Sequence, residues 1–360
     1  MIKKVKLKTF CEFIIILIFF VIRYMQTLFE LNKTFLYIYI SALLFITILV
    51  LFKRKYTKKS LLNITFISSI IMMITFFTGK SDFLVPLFFS IIFSENDENE
   101  ILKNILISSS IMFTIAILLN CFGITINKTI YRYTANESIA RNTLGFPSAN
   151  SAFIHFIAVP LLMYCITNKK KNIFILFIIG LYIYIKTNCR TGFIVFSFFT
   201  FTTFFLSPKC IKRMNKILPY AFPLFFSISY FFAIQYKNLS WLDNLLSNRL
   251  SFWNLSLNTY KISLFANSEI IYPIDNLFLG LLLKYGLLSL LLYGFLYISN
   301  YKYIKSEKIK YILLIYLIYG LFECNLDFYM NCSIFILLLF NFKSTLIKKG
   351  EKNNEDIIYT

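Results

Sequence analysis

The sequence predicts an all-α, polytopic integral membrane protein of about 12 transmembrane helices, with a large extracytoplasmic loop and both termini cytoplasmic. Three observations lead there. Apolar residues fill 58% of 360 positions, charged residues only 15%, and the mean hydropathy is +0.70. A soluble domain is nearer half apolar and a quarter charged, so this chain has more apolar surface than a soluble fold can bury. The apolar residues also come in runs approaching the roughly 20 positions a helix needs to cross hydrocarbon, where no solvent can satisfy backbone N–H and C=O groups. Finally, Lys and Arg gather in alternate connections, the pattern that cytoplasmic loops require.

The first span, Phe10 to Leu28, follows a basic start as a signal peptide would. No small-residue cleavage pattern follows it, and Arg23-Tyr24-Met25-Gln26 leads straight on, so it reads as a membrane helix. The next expected spans are Thr34 to Phe52, Leu61 to Phe77, Phe83 to Phe93, Ile105 to Phe122 and Phe146 to Ile166. They continue with Ile173 to Ile185, Phe193 to Leu206, Ile217 to Ile234, Leu277 to Ile298, Tyr311 to Phe322 and Phe328 to Phe340. Several, Phe83 to Phe93 above all, are short for a full crossing.

With the N-terminus inside, the cytoplasmic segments hold the N-terminal lysines, Lys53 to Lys59, Lys103, Lys169 to Lys171, Lys209 to Lys216, Lys302 to Lys310 and the tail. These carry about two-thirds of the 37 Lys and Arg. The net charge of +20 therefore reads as orientation rather than nucleic-acid binding, and no nucleic-acid partner is expected. Residues 1–349 form one transmembrane domain, and 350–360 a polar cytoplasmic tail of disordered composition.

Two outer connections are long, Gly123 to Gly145 and Tyr236 to Asn276. Within the second, Trp241-Leu242-Asp243-Asn244-Leu245-Leu246 fits a short amphipathic helix on the outer leaflet and an irregular loop equally well. The seven cysteines are scattered, with no C-x-x-C pair and a single His to join them, so no metal or other cofactor is expected. No carboxylate cluster points to a metal either.

Once the orienting charges are set aside, Arg141, Arg190 and Arg249 stand out, because all three fall on the outer side. A guanidinium fork matches phosphate oxygens bidentately, and three of them suit a lipid-linked diphosphate. The bland alternative for each is an arginine snorkelling to lipid headgroups.

Their surroundings are distinctive. Arg141-Asn142-Thr143-Leu144-Gly145-Phe146-Pro147-Ser148-Ala149-Asn150 leads into one helix, and Thr187-Asn188-Cys189-Arg190-Thr191-Gly192 joins two others. Further on come Asn248-Arg249 with Trp253, then Ile274-Asp275-Asn276 followed by Leu282-Leu283-Lys284-Tyr285-Gly286, and finally Glu323 with Asn331. In order and spacing, over about 190 residues, these resemble the R-x-x-L-G-F-x-x-x-N, S-R-T-G, outer-loop Arg, D-N…k-y-G and E…N features of bacterial O-antigen and capsular polysaccharide polymerases, within the O-antigen ligase/polymerase superfamily. Relatives often have His-Pro where this chain has Ser148-Ala149, and Ser where it has Cys189, which puts a base at the former position in doubt.

The resemblance implies transfer of a glycan from undecaprenyl diphosphate to another lipid-linked repeat unit, outside the bacterial cytoplasmic membrane. Undecaprenyl-diphosphate-linked glycans and membrane lipids would be its ligands, with flippase and chain-length regulator proteins as partners. In that chemistry Arg141 and Arg190 are assigned to the diphosphate, where negative charge grows as the anomeric bond breaks. Arg249 fits the same diphosphate or the acceptor.

Asp275 leads the candidates for general base, ahead of Glu323 and Asp327. Its bland alternatives are a helix N-cap or a partner for Arg249. Asn150 and Asn276 are candidate hydrogen-bond partners of sugar or diphosphate, and Glu323 and Asn331 complete the substrate-binding set. His155, inside a helix, reads as a buried hydrogen-bonded residue, and Lys186 and Lys284 as snorkelling ones.

Three other readings compete. A ligase of the same superfamily would use another acceptor, and this chain lacks the outer-loop histidine that would favour it. A flippase or other transporter would line a path through both leaflets with ionisable groups. A membrane scaffold would have no need of a long outer segment bearing Arg and Asp.

Overall fold

The computed structural model describes residues 2–54, 56–133, 138–167, 170–246, 248–265, 274–324, 326, 329–345 and 357–358. These form sixteen α-helices and two two-stranded antiparallel ladders. The chain divides into two compact units. Unit one is Met1–Ala42 with Asn96–Cys210, and unit two is Leu43–Glu95 with Ile211–Thr360. Asp327, the residue Phe328 that opens the last expected span, and most of the tail fall outside the described residues.

Among the described residues five helices are long and apolar enough to cross a membrane, or six if Pro208–Asn215 and Leu218–Ile234, bent by 60°, count as one span. Their surfaces are those of lipid-facing helices. Phe35 and Phe45 on the second helix and Phe76 on the third are 62%, 64% and 83% exposed. Large side chains so placed would be an aggregation liability in water and are at home in hydrocarbon.

Unit one contains α1 (Ile2–Phe29), the start of α2 (Thr34–Lys53), α5 (Glu98–Cys121), α6 (Ala149–Ile166), α7 (Lys170–Thr187), α8 (Arg190–Phe205) and the head of α9 (Pro208–Asn215). Its centre is α6, apolar all round and packed by α5, α7 and α8. Phe153, Ile157 and Leu161 there are wholly buried, as an interior helix requires. Ser148 starts α6 by accepting from the Ser151 amide at 3.1 Å, satisfying one of the unpaired donors of its first turn. His155 is buried in this helix, its Nδ1 2.7 Å from the Ser151 carbonyl and its ring against Tyr24 and Phe146.

Between α5 and α6 the chain forms a hairpin that the hydropathy pattern does not reveal. Its strands are β2 (Thr129–Tyr133) and β3 (Ser138–Asn142), with Ile130 opposite Arg141. β-branched and aromatic residues in Thr129-Ile130-Tyr131 are the local signal for a strand there.

Unit two holds the rest of α2, β1 (Tyr56–Thr57), α3 (Lys58–Thr78), α4 (Leu84–Phe93), the remainder of α9 and α10 (Leu218–Ile234). It continues with α11 (Ser240–Leu245), α12 (Arg249–Thr259), α13 (Leu277–Lys284), α14 (Leu287–Asn300), α15 (Glu307–Gly320), α16 (Ser333–Thr345) and β4 (Ile357–Ile358), which pairs with β1. The core is built on α15, where Tyr311, Ile312, Leu313, Ile315 and Leu317 are wholly buried. Polar side chains link helices across it. Asn63 on α3 donates to Asn341 on α16 at 2.6 Å, and the Tyr293 and Ser333 hydroxyls meet at 2.5 Å. Such bonds between apolar helices contribute roughly 0.6 kcal/mol each. At the C-terminus of α4, Arg54 donates to the Ile91 and Ile92 carbonyls and pairs with Glu95, so one residue of the basic stretch Lys53 to Lys59 also caps a helix.

Three expectations change in detail. The expected span Leu277 to Ile298 is two helices, α13 and α14, broken at Tyr285-Gly286 and packed on each other. They are about 12 and 21 Å long, each short of the roughly 30 Å hydrocarbon core. The reason is Gly286, at φ 87 and ψ 166, a conformation essentially restricted to glycine. A Cβ there would stand 2.5 Å from the Leu264 carbonyl oxygen. Helix α4, about 15 Å long, is likewise too short for a straight crossing. In the connection Tyr236 to Asn276, Ser240–Leu245 takes the helical of its two alternatives, and the 11-residue α12 follows it.

Candidate functional site

At one end of unit one, the C-termini of α5 and α7, the hairpin, and the N-termini of α6 and α8 come together. Arg141 ties them. Its Nε donates to the Thr187 carbonyl at 2.9 Å, and one terminal nitrogen donates to Asn150 Oδ1 at 2.5 Å. The arginine and asparagine that bound the first motif are thus direct partners, and the same guanidinium holds the turn that carries Arg190. That turn is tight because Asn188 adopts φ 47, a left-handed conformation asparagine tolerates better than most residues.

Arg190 is the first residue of α8 and is exposed, and its side chain has no ion pair or hydrogen bond among the described residues. A cation at a helix N-terminus runs against the macrodipole preference. No side chain caps that turn, so the guanidinium and the positive end of the helix dipole together make this end of unit one a focus of positive potential.

At one end of unit two a second polar group forms around Arg249, the first residue of α12. Asp243 accepts from the Leu250 and Ser251 amides at 2.7 and 3.2 Å, fixing the start of that helix. Arg249 then donates to the Phe322 carbonyl and to Glu323 Oε1, the latter at 3.0 Å, and its Nε lies 3.8 Å from Asp275 Oδ2. The two carboxylates differ. Glu323 is buried, its side chain 7% exposed, whereas that of Asp275 is 43% exposed. Glu323 is therefore committed to Arg249, and Asp275 keeps an open face.

Asn276 is wholly buried and uses its full hydrogen-bonding capacity. It donates to Ser229 Oγ at 2.8 Å and the Leu321 carbonyl at 2.9 Å, and it accepts from the Phe278 and Leu279 amides. The N-cap of α13 is thus Asn276, not Asp275, and Asn276 positions Asp275 rather than offering itself to a ligand. Asn331 is buried and accepts from the Ser333 amide at the head of α16.

Lys80 and Asp82, outside the motif reading, join this group together with Lys284 and Tyr285 of the motif. Tyr285 donates to Asp82 Oδ2, Lys80 lies 4.6 Å from the centre of the Tyr285 ring, and Lys284 reaches the Ile274 carbonyl at 3.4 Å. Cys324 sits among them. Burial pushes its thiol up, Lys284 and Lys80 act to lower it, and Asp275 and Asp82 to raise it. Three cations, Arg249, Lys284 and Lys80, are thus balanced by three carboxylates, Glu323, Asp275 and Asp82. Asp82 and Lys80 lie in the short α3–α4 connection, and no signal in their local sequence separates them from other loop charges. Among the described residues no group of three or more His, Cys, Asp or Glu is placed to hold a metal ion.

The two groups differ in character. Unit one presents Arg141 and Arg190 at a helix N-terminus, suited to a polyanion. Unit two presents a charge-balanced set with many donors and acceptors, suited to hydroxyl-rich ligands. No protein-family model, curated protein or solved structure matches the chain.

Proposed function

We propose that the protein is a glycosyltransferase of the bacterial cytoplasmic membrane. It polymerises undecaprenyl-diphosphate-linked oligosaccharide repeat units into surface polysaccharide, O-antigen or capsule, at the outer face. In this reading the chain has about twelve membrane segments, some of them short or broken, with both termini cytoplasmic. The observation that carries the reading is the contact of Arg141 with both Asn150 and the Thr187 carbonyl. It joins two motifs some 40 residues apart into one cationic site at the end of a membrane helix bundle.

In the reaction, a hydroxyl oxygen of the acceptor sugar bonds to the anomeric carbon of the donor glycan, and the bond from that carbon to the diphosphate oxygen breaks. The electron pair leaves with the lipid diphosphate, whose growing charge Arg141 and Arg190 meet with preoriented N–H donors. The attacking hydroxyl gives its proton to a base, and Asp275, accessible where Glu323 is buried, is the carboxylate proposed for that role. Asn150 and Asn276 act as positioning residues for Arg141 and Asp275. Arg249, neutralised by Glu323, orders the acceptor site with Asn331 rather than contributing net charge to it.

The test is complementation of a strain lacking its own copy, with surface polysaccharide resolved on a gel. Arg141→Ala and Arg190→Ala should each insert and express normally yet cut long-chain product by on the order of a hundredfold, leaving a single repeat unit attached. Long polymer from either variant would overturn the diphosphate assignment. Long polymer made but left unattached in the deletion strain would identify a ligase instead.

A further inference from the structure

Unit one contains a groove of about 500 Å³ between α5, α6 and α7, within the size range of sites that hold small-molecule ligands. It reaches from Met163, near the C-terminus of α6, to Asn120, Asn142 and Lys186 beside the cationic site. Along α7 it runs from Leu176 to Lys186, about 15 Å of helix rise.

The wall is mostly apolar, with Val159, Met163 and Ile179 among its residues; Ser110 and Thr114 add hydroxyls along α5, and the amides and the ammonium gather at one end. That end is unsatisfied. Asn120 Nδ2 is buried and makes no hydrogen bond among the described residues, and neither does the buried Thr125 hydroxyl, although a buried amide left unpaired is costly. Both atoms flank Gly145 of the Leu-Gly-Phe motif, which at φ 82 has room for no side chain. A Cβ there would meet Thr125 Oγ1 at 2.5 Å and Asn120 Nδ2 at 3.2 Å. Lys186 stands at the same end, its ammonium 5.9 Å from the centre of the Tyr182 ring.

We infer that this groove takes the first part of the polyisoprenyl chain of a lipid diphosphate, with Asn120 and Lys186 donating to the oxygens of its head. The inference rests on the function proposed above. An apolar slot with donors and a cation at one end complements one hydrocarbon chain ending in an anion. Its volume suits part of one chain rather than the two of a membrane phospholipid. Lys186 is one residue from Thr187, whose carbonyl holds Arg141, so the head of a chain seated here would lie beside the guanidinium assigned to the diphosphate.

The test is photolabelling of the full-length protein in nanodiscs with undecaprenyl diphosphate carrying a diazirine near the head end of its chain. Labelled peptides are then mapped by mass spectrometry. Labels are expected on α5, α6 and α7. Ile179→Trp, at a position 41% exposed that lines the groove, should lower labelling at least tenfold. Ile178→Trp, at a neighbouring position 54% exposed and outside the groove, should leave it unchanged. Lys186→Glu should weaken retention about tenfold. Labels elsewhere in the chain would overturn the inference, as would competition by phosphatidylglycerol equal to that by unlabelled undecaprenyl diphosphate. The readout needs no turnover. Groove labelling with long polymer persisting in the deletion strain would sink the polymerase reading alone, and loss of polymer in that strain with labels elsewhere would sink the groove alone.

Discussion

Removing the Glu323 carboxylate isolates the energetics of the unit-two group. Arg249 and Glu323 meet at 3.0 Å with side chains 13% and 7% exposed, so both charges are largely withdrawn from solvent. Deleting one partner of such a pair typically costs 3–5 kcal/mol, because the other is left buried and uncompensated. Here Asp275 remains 3.8 Å from Arg249 Nε, but its exposure limits what it recovers to about 1 kcal/mol. Glu323→Ala should therefore destabilise unit two by about 2–4 kcal/mol, a fall in melting temperature on the order of 10 °C for a domain of this size. Glu323→Gln keeps the shape and one acceptor and should fall between Ala and the parent.

Arg249→Met with Glu323→Leu removes both charges together and should cost less than the two single changes added, by a coupling of about 2 kcal/mol. The assay is thermal unfolding of purified protein in detergent at matched lipid content, for the parent, both single variants and the double. A double variant that melts at the sum of the single losses would refute the coupling. So would a Glu323→Ala protein that melts with the parent. Either result would mean that Arg249 is not held by Glu323 in the folded protein.

Asp275→Asn changes a half-exposed side chain and should leave the melting temperature within a degree or so. Long-chain polysaccharide should nonetheless drop by on the order of 10²-fold, as loss of a general base requires. Polymer at the parental level would reduce Asp275 to a charge partner of Arg249. Gly286→Ala forces a Cβ against the Leu264 and Phe265 backbone at a φ of 87. It should destabilise the α13–α14 break by about 1–3 kcal/mol, seen as a lower melting temperature, and an unchanged one would mean that the break does not depend on glycine.

Much of the architecture was legible segment by segment. The spans expected at Thr34 to Phe52, Leu61 to Phe77 and Phe146 to Ile166 coincide with α2, α3 and α6, because a long apolar run in lipid has little choice but to satisfy its own backbone as a helix. The hairpin Thr129–Asn142 was missed because a run-length reading asks only whether a connection is apolar, not whether its residues favour strands. The break at Gly286 was missed because Leu-rich sequence on both sides outweighs one glycine in any hydropathy average. Of the candidate site residues, the sequence singled out Arg141, Asn150, Arg249, Asp275 and Glu323 and offered Asp275 as a partner for Arg249, but it did not pair Arg141 with Asn150 or Arg249 with Glu323. Asn276 looked like a ligand contact until its four hydrogen bonds were all found inside the fold.

By itself, then, the sequence determined that this is an all-helical membrane protein, roughly where its helices run, and which charges need a reason to exist. Hydropathy and charge are properties of a segment, and they act on it wherever it ends up. Tertiary structure alone decided that Arg141 reaches back to the Thr187 turn, that Glu323 rather than Asp275 takes the buried side of Arg249, and that Lys80 and Asp82 join Tyr285 from more than 200 positions away. Pairings of that kind follow from packing and from the cost of leaving a buried charge or amide unmatched, and no local pattern encodes them.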